Sequence, residues 1–184
     1  MVQIPFNAAV ILITFLWILL RGYFWYREKQ IRRSRELQLI LVYICLVVVA
    51  RFTFFPFGTV NGKIQPLNFD PAYLFPPRIN LVPIVYLFDY EIRREALINV
   101  IGNTAMFIPI GIIWPSVFPN LNTPTKVMAA GVGFSLCIEI LQLPFLERCS
   151  DIDDLILNSI GYLVGYLIYL LAKFLMEAIK KCEA

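Results

Sequence analysis

No histidine occurs in the 184 residues, so a His base, a His metal ligand and a Ser-His-Asp triad are all excluded. Charged residues make up only 16% of the chain, against about 25% in ordinary globular domains. The 16 basic and 13 acidic side chains leave a surplus of +3, too small for a protein that reads a phosphate backbone, and no nucleic-acid partner is expected. Four cysteines, Cys45, Cys137, Cys149 and Cys182, contain no C-x-x-C pair, which discards zinc and iron–sulfur sites of that spacing. The glycine-rich Walker and dinucleotide signatures are absent as well. No internal repeat, low-complexity tract or second domain is visible.

What remains is apolar. Hydrophobic residues reach 59%, aromatics 15%, and the mean hydropathy is +0.72. A helix crossing the hydrocarbon core needs about 20 mostly apolar residues. Five stretches qualify: Asn7 to Tyr26, Leu37 to Phe55, Ala96 to Trp114, Val127 to Phe145 and Leu155 to Leu175. The expected fold is therefore an all-α integral membrane protein with about five transmembrane helices. The first span has no basic segment before it and no A-x-A-like site after it, so it reads as a retained anchor. Arg21 near its end is expected to snorkel to the interface.

Lysine and arginine in short loops set the orientation. If five spans alternate, Arg27, Lys29, Arg32, Arg33, Arg35, Lys126, Lys173, Lys180 and Lys181 fall on one side. Lys63, Arg78, Arg93, Arg94 and Arg148 fall on the other, spread over longer segments. This places the N-terminus outside and the C-terminus inside. Residues 1–36 then form an anchor and basic cytoplasmic loop, 37–175 the helical membrane domain, and 176–184 a cytoplasmic tail. The extracytoplasmic loop from Phe57 to about Arg94 is too long for a plain connection. Its Pro66, Pro71, Pro76, Pro77 and Pro83 alternate with Phe69, Tyr73, Phe75, Tyr86, Phe88 and Tyr90. Such aromatics favour the lipid–water boundary, so a folded outer cap or a re-entrant segment is expected.

Polar residues inside apolar spans each need a reason. Ser135, Glu139 and Gln142 share one face of the fourth span, and Asn99 and Asn103 one face of the third. Asp151, Asp154, Asn158, Gly161 and Gly165 form a stripe on the fifth. In the orientation above, these residues and Arg148 lie at similar depth near the outer surface, with Arg51 close by. One polar pocket in the outer leaflet is the economical expectation. Pro109 and Pro144 each remove an amide from a helix, and Pro144 is expected to free the carbonyl of Ile140 beside Glu139. Plainer roles exist for the same residues. The asparagines can be interhelical glue, Ser150 or Asp151 a helix cap, and Gly161 with Gly165 a close-packing G-x-x-x-G. Glu139 can simply pair with Arg51 or Arg148.

The run Asn99-Val-Ile-Gly102-Asn103, followed by Phe107-Ile-Pro109-Ile-Gly111, Glu139-x-x-Gln142 and Arg148-x-x-Asp151-x-Asp153-Asp154-x-x-x-Asn158-x-x-Gly161-x-x-x-Gly165, resembles the VanZ-like family. Asn80-Leu81-Val82-Pro83 is similar to that family's N-L-x-P element, which adds Asn80 to the candidate ligand-binding residues. The resemblance covers roughly 51–171 and makes the central domain VanZ-like. It implies a small bacterial multi-helix membrane protein whose namesake lowers susceptibility to teicoplanin-type glycopeptides. It also leaves open an envelope housekeeping role, and it supplies no catalytic mechanism.

Two functions compete on the residues. One is a non-enzymatic binder of a membrane lipid, a lipid-linked wall intermediate or a lipoglycopeptide. Asn80, Asn99, Asn103, Glu139, Gln142, Arg148, Asp151, Asp154 and Asn158 would supply its polar contacts, and the aromatic cap would cover the apolar chain. The other is a membrane enzyme in which Glu139, with Asp151 or Asp154, acts as acid and base. No cofactor is required by either, although the Asp151/Asp154 region could gather a divalent cation through carboxylate oxygens. Asp153 points away from that face on a regular helix.

Overall fold

The computed structural model describes residues 1–29, 32–56, 58–83 and 93–182, with the side chains of 93–96 left aside. Tyr86, Phe88 and Tyr90 therefore lie outside the described residues. Five helices are long and apolar enough to cross a membrane, and the chain is a multi-pass membrane protein: α1 (Phe6–Glu28), α2 (Arg33–Phe54), α3 (Arg93–Val117), α4 (Pro124–Gln142) and α5 (Ile152–Cys182). Among the described residues there are also six very short strands, β1 (Val2–Ile4) ahead of α1 and, in the connections, β2 (Thr59–Val60), β3 (Lys63–Ile64), β4 (Leu67–Phe69), β5 (Ile79–Asn80) and β6 (Ser150–Asp151). The all-α expectation holds for the spans but not for the loops. Loop backbone outside helices must find hydrogen-bond partners, and here it finds part of them in two-stranded pairings.

The chain divides into two compact units interleaved in sequence: 1–81 with 138–151, and 82–137 with 152–184. In the first, α1 and α2 run antiparallel. Phe6 stacks edge-on against Phe55 at one end, Thr14 shares a hydrogen bond with Tyr43 in the middle, and Arg21 reaches Glu36 at the other. The first 23-residue span buries none of its side chains in the protein, leaving its apolar surface for lipid. The Arg21 guanidinium meets the Glu36 carboxylate at 2.5 Å, an opposite charge supplied by the neighbouring helix.

A cap closes the end of this unit at which α1 begins and α2 and α4 finish. β1 pairs antiparallel with β4, matching Val2 to Phe69 and Ile4 to Leu67. β2 and β3 form a hairpin around Asn61-Gly62, both at positive φ (52° and 72°), the conformation that an Asn-Gly two-residue turn adopts readily. A 3₁₀ turn over Pro71–Leu74 is capped by the Asp70 carboxylate, which accepts from the Ala72 N–H at 3.0 Å. β5 then lies parallel to β6, Asn80 beside Asp151.

In the second unit α3 and α5 run parallel, with α4 antiparallel to both. Asn103 meets Asp154 near the helix starts, and Trp114 meets Tyr162 further along. Ser135 and Gly131 on α4 contact Asn158 and Tyr162 in reverse order. The parallel pair packs through glycines. A side chain at Gly161 would strike the Thr104 carbonyl, one at Gly165 the Ile108 carbonyl, and one at Gly111 the Tyr162 carbonyl. Small residues allow this backbone approach, and dispersion between the helices follows from it. Phe107, Ile110, Val127 and Tyr162 form the fully buried core. α3 continues through both Pro109 and Pro115.

Candidate functional site

The polar residues singled out in the sequence divide between the two units. Asn80, Glu139, Gln142, Arg148 and Asp151 belong to the first, while Asn99, Asn103, Asp154 and Asn158 belong to the second.

In the first unit α4 stops at Gln142, three residues short of the expected Phe145, because Pro144 cannot continue the ladder. Pro144 therefore does not interrupt the helix but follows it. The Ile140 carbonyl is not freed, since it accepts from the Leu143 N–H at 3.3 Å, while the Pro144 carbonyl accepts from Asp70 N–H at 3.0 Å. Glu139 and Gln142, each 3% exposed, occupy the last turns before this stop. The Glu139 carboxylate accepts the Asp151 backbone N–H at 2.9 Å, and the Asp151 carboxylate accepts from the Asn80 amide at 3.0 Å. Gln142 donates to the Thr53 carbonyl at 2.6 Å, and its own amide oxygen is buried without a partner among the described residues. Arg148 donates from Nε to the Phe54 carbonyl at 2.7 Å, while Arg51 donates to the carbonyls of Phe55 and Pro56. Both arginines thus terminate α2 by satisfying carbonyls that helix geometry leaves over.

Around this cluster the cap is fastened by side chains that the sequence did not single out for that role. Arg78 sends two N–H groups to the Phe145 and Leu146 carbonyls, at 2.6 and 2.7 Å, and lies over the Tyr73 ring. Asn68 donates both its backbone N–H and its side-chain amide to the Glu147 carboxylate. Burial acts to raise the Glu147 carboxyl, but those bonds from Asn68 outweigh it and hold the group below its ordinary range. Burial, reinforced by the charge of Asp151, pushes the Cys149 thiol up. Strand alternation then sorts the edge of the cap. Arg78 and Asn80 are half-buried, while Ile79 and Leu81 between and beyond them are exposed, as is Phe75.

In the second unit Asn103 donates its amide to Asn99 at 2.8 Å and to the Asp154 carboxylate at 2.5 Å. Asn158 donates to the Ser135 hydroxyl at 3.0 Å, yet its own amide oxygen and the Tyr162 hydroxyl are buried without partners among the described residues. Asp153 is itself buried, at 7% exposure, although helical periodicity sets it apart from Asp151 and Asp154. Among the described residues no three carboxylate or thiol side chains converge in a way that could hold a metal ion. The four cysteines are free thiols. The groups of the two clusters are carboxylates, amides and guanidinium ions that accept and donate hydrogen bonds.

A family model described as VanZ/LLP1 matches residues 8–173. The match begins well before the motif-bearing stretch 51–171, so α1 and α2 are part of the family's module. No curated protein and no solved structure matches the chain.

Proposed function

Since the chain belongs to the VanZ/LLP1 family, we propose that it acts in the bacterial cytoplasmic membrane, with the N-terminus and cap outside. There it reduces susceptibility to teicoplanin-type glycopeptides by holding an amphiphile at the cap. The candidate amphiphiles are a membrane lipid, a lipid-linked wall component and the antibiotic's own acyl-bearing form. Asn80, Glu139, Gln142, Arg148 and Asp151 supply the polar contacts. The second cluster, Asn99, Asn103, Asp154 and Asn158, holds α3, α4 and α5 in register.

One observation carries this reading: the alternation over residues 78–81, around the two-residue β5, where Arg78 and Asn80 bond to the 143–151 segment while Ile79 and Leu81 are exposed. That edge offers a charged, hydrogen-bonding side and an apolar side within about 7 Å of strand, the pattern that an amphiphile with a polar head and an acyl tail requires. Guanidinium groups suit phosphate and carboxylate heads.

The test compares teicoplanin susceptibility and co-purifying lipids for cells expressing the wild-type chain, Glu139→Gln, and Ile79→Ser combined with Leu81→Ser. The proposal expects protection and an enriched lipid with the wild type, and loss of both with the double serine variant. Unchanged susceptibility and no enriched lipid in any of the three would overturn it. Conversion of a lipid-linked substrate by wild-type membranes, abolished in Glu139→Gln, would instead establish carboxylate catalysis.

A further inference from the structure

A cavity of about 320 Å³ lies within the second unit at the end where α3 finishes and α4 begins. Its walls include Pro115 and Leu121 from the α3–α4 corner and Tyr166, Tyr169 and Lys173 from α5. Residues 166, 169, 170 and 173 are spaced i, i+3, i+4 and i+7, so one face of α5 lines it. Pro115 and Tyr166 are buried and form a largely apolar floor, and the rings of Tyr166 and Tyr169 stack at 6.3 Å. The rim is polar. Asn122 lines it, and the Asn122 carbonyl oxygen accepts from Lys126 at 3.0 Å, which leaves the amide N–H groups as donors. Lys173 lines the cavity and is exposed; Lys126, also exposed, lies outside the lining and is tied to it through its bond to Asn122.

We propose that this cavity binds the headgroup of an anionic phospholipid from the leaflet opposite the cap. The volume matches a small-molecule site, and an apolar floor below two ammonium groups suits a phosphodiester with its glycerol and first acyl carbons. A basic pocket among transmembrane helices is a recognised form of lipid-headgroup site. The N-terminus of the 19-residue α4 adds positive potential of the same sign, although Thr123 already accepts the Lys126 and Val127 N–H groups there. Among the described residues, no carboxylate side chain belongs to the lining. None of this depends on the proposed activity at the cap, because no residue is shared.

The experiment uses the full chain in detergent, titrated with phosphatidylglycerol, with phosphatidylcholine of the same acyl chains, and with inorganic phosphate, and read by native mass spectrometry. Wild type is expected to prefer phosphatidylglycerol. Lys126→Gln combined with Lys173→Gln is expected to weaken that binding about thirtyfold, the worth of two interfacial lysines. Lys180→Gln combined with Lys181→Gln removes equal charge from the end of α5 and is expected to leave binding intact. Equal affinity for the two lipids, displacement by inorganic phosphate, or equal weakening by the two double variants would each overturn the assignment. A folding check by circular dichroism accompanies the variants. Should the lysine pair fail it, Tyr169→Ala replaces it, with the same loss of phosphatidylglycerol preference expected and retained preference counting against the site.

Discussion

Glu139 closes the loop that follows α4: its carboxylate accepts the Asp151 backbone N–H at 2.9 Å from within the last turns of that helix. Twelve residues of chain, including the whole 143–149 loop, are closed by that one bond. A buried N–H without an acceptor costs about 1–3 kcal/mol, so Glu139→Leu should destabilise the protein by that amount. Glu139→Gln keeps an acceptor oxygen and should cost less than about 1 kcal/mol. Denaturation of both variants in the same detergent checks the order. A leucine variant as stable as the glutamine variant would mean that the bond has no energetic role.

The glycine seam between α3 and α5 makes a sharper prediction. An added Cβ at Gly161 or Gly165 runs into a backbone carbonyl, which cannot rotate away as a side chain would. Gly161→Ala and Gly165→Ala should each destabilise by about 1–3 kcal/mol or more, the usual cost of overpacking. Gly22 and Gly133 have nothing within 4 Å of a built Cβ. Alanine there should stabilise by up to about 1 kcal/mol, since it lowers chain entropy in a helix. Melting of the four variants side by side gives the answer, and the two pairs should move in opposite directions.

Much of this architecture was readable in the residues because a lipid solvent simplifies the problem. A span must be long, apolar and helical, so hydropathy located all five within a few residues. The G-x-x-x-G at Gly161 and Gly165 was legible as a packing seam for the same reason. What escaped the sequence depends on partners distant in the chain. Arg21 read alone gives no sign of its partner Glu36 on α2. The pairing of β1 with β4 joins segments separated by the two N-terminal spans, and strands of two or three residues carry no periodic signal. Asp153 is buried although its helical face differs from that of its acidic neighbours, which depends on what surrounds the first turn of α5 on every side. The candidate polar residues were legible as exceptions to an apolar pattern, but their division between two units was not, because those units interleave along the chain.

Acid should loosen the cap through Glu147. Its carboxyl is held below the ordinary value of 4.5 by the two hydrogen bonds from Asn68, despite the opposing effect of burial. A carboxyl depressed in the folded state contributes stability that is fully present above its unfolded pKa. That contribution is lost as pH falls through the folded pKa. At pH 7 Glu147→Gln should therefore melt a few degrees lower than wild type, by roughly the shift expected for about 1 kcal/mol. The gap should close as the pH falls through the depressed carboxyl pKa. A gap that stays constant from neutral to acid pH would assign the loss to shape rather than to charge.

Cys149 and Cys182 are free, exposed thiols on either side of α5, one just before β6 and the other on the helix's last turn, which makes them natural reporters of orientation. With the cap outside, a membrane-impermeant maleimide applied to intact cells should modify Cys149 and spare Cys182. Permeabilisation should then expose Cys182. The reaction requires the thiolate, and burial together with the Asp151 charge raises the Cys149 thiol above its ordinary 9.0. Its labelling should therefore be slow at neutral pH and accelerate as the pH rises toward and beyond 9, while Asp151→Asn should speed it at neutral pH by removing a neighbouring negative charge. Cys45, buried within α2, should resist throughout and serves as the internal control. Modification of Cys182 in intact cells with Cys149 protected would invert the protein in the membrane. The cap and its polar cluster would then face the cytoplasm, where an antibiotic acting outside the cell could not meet them.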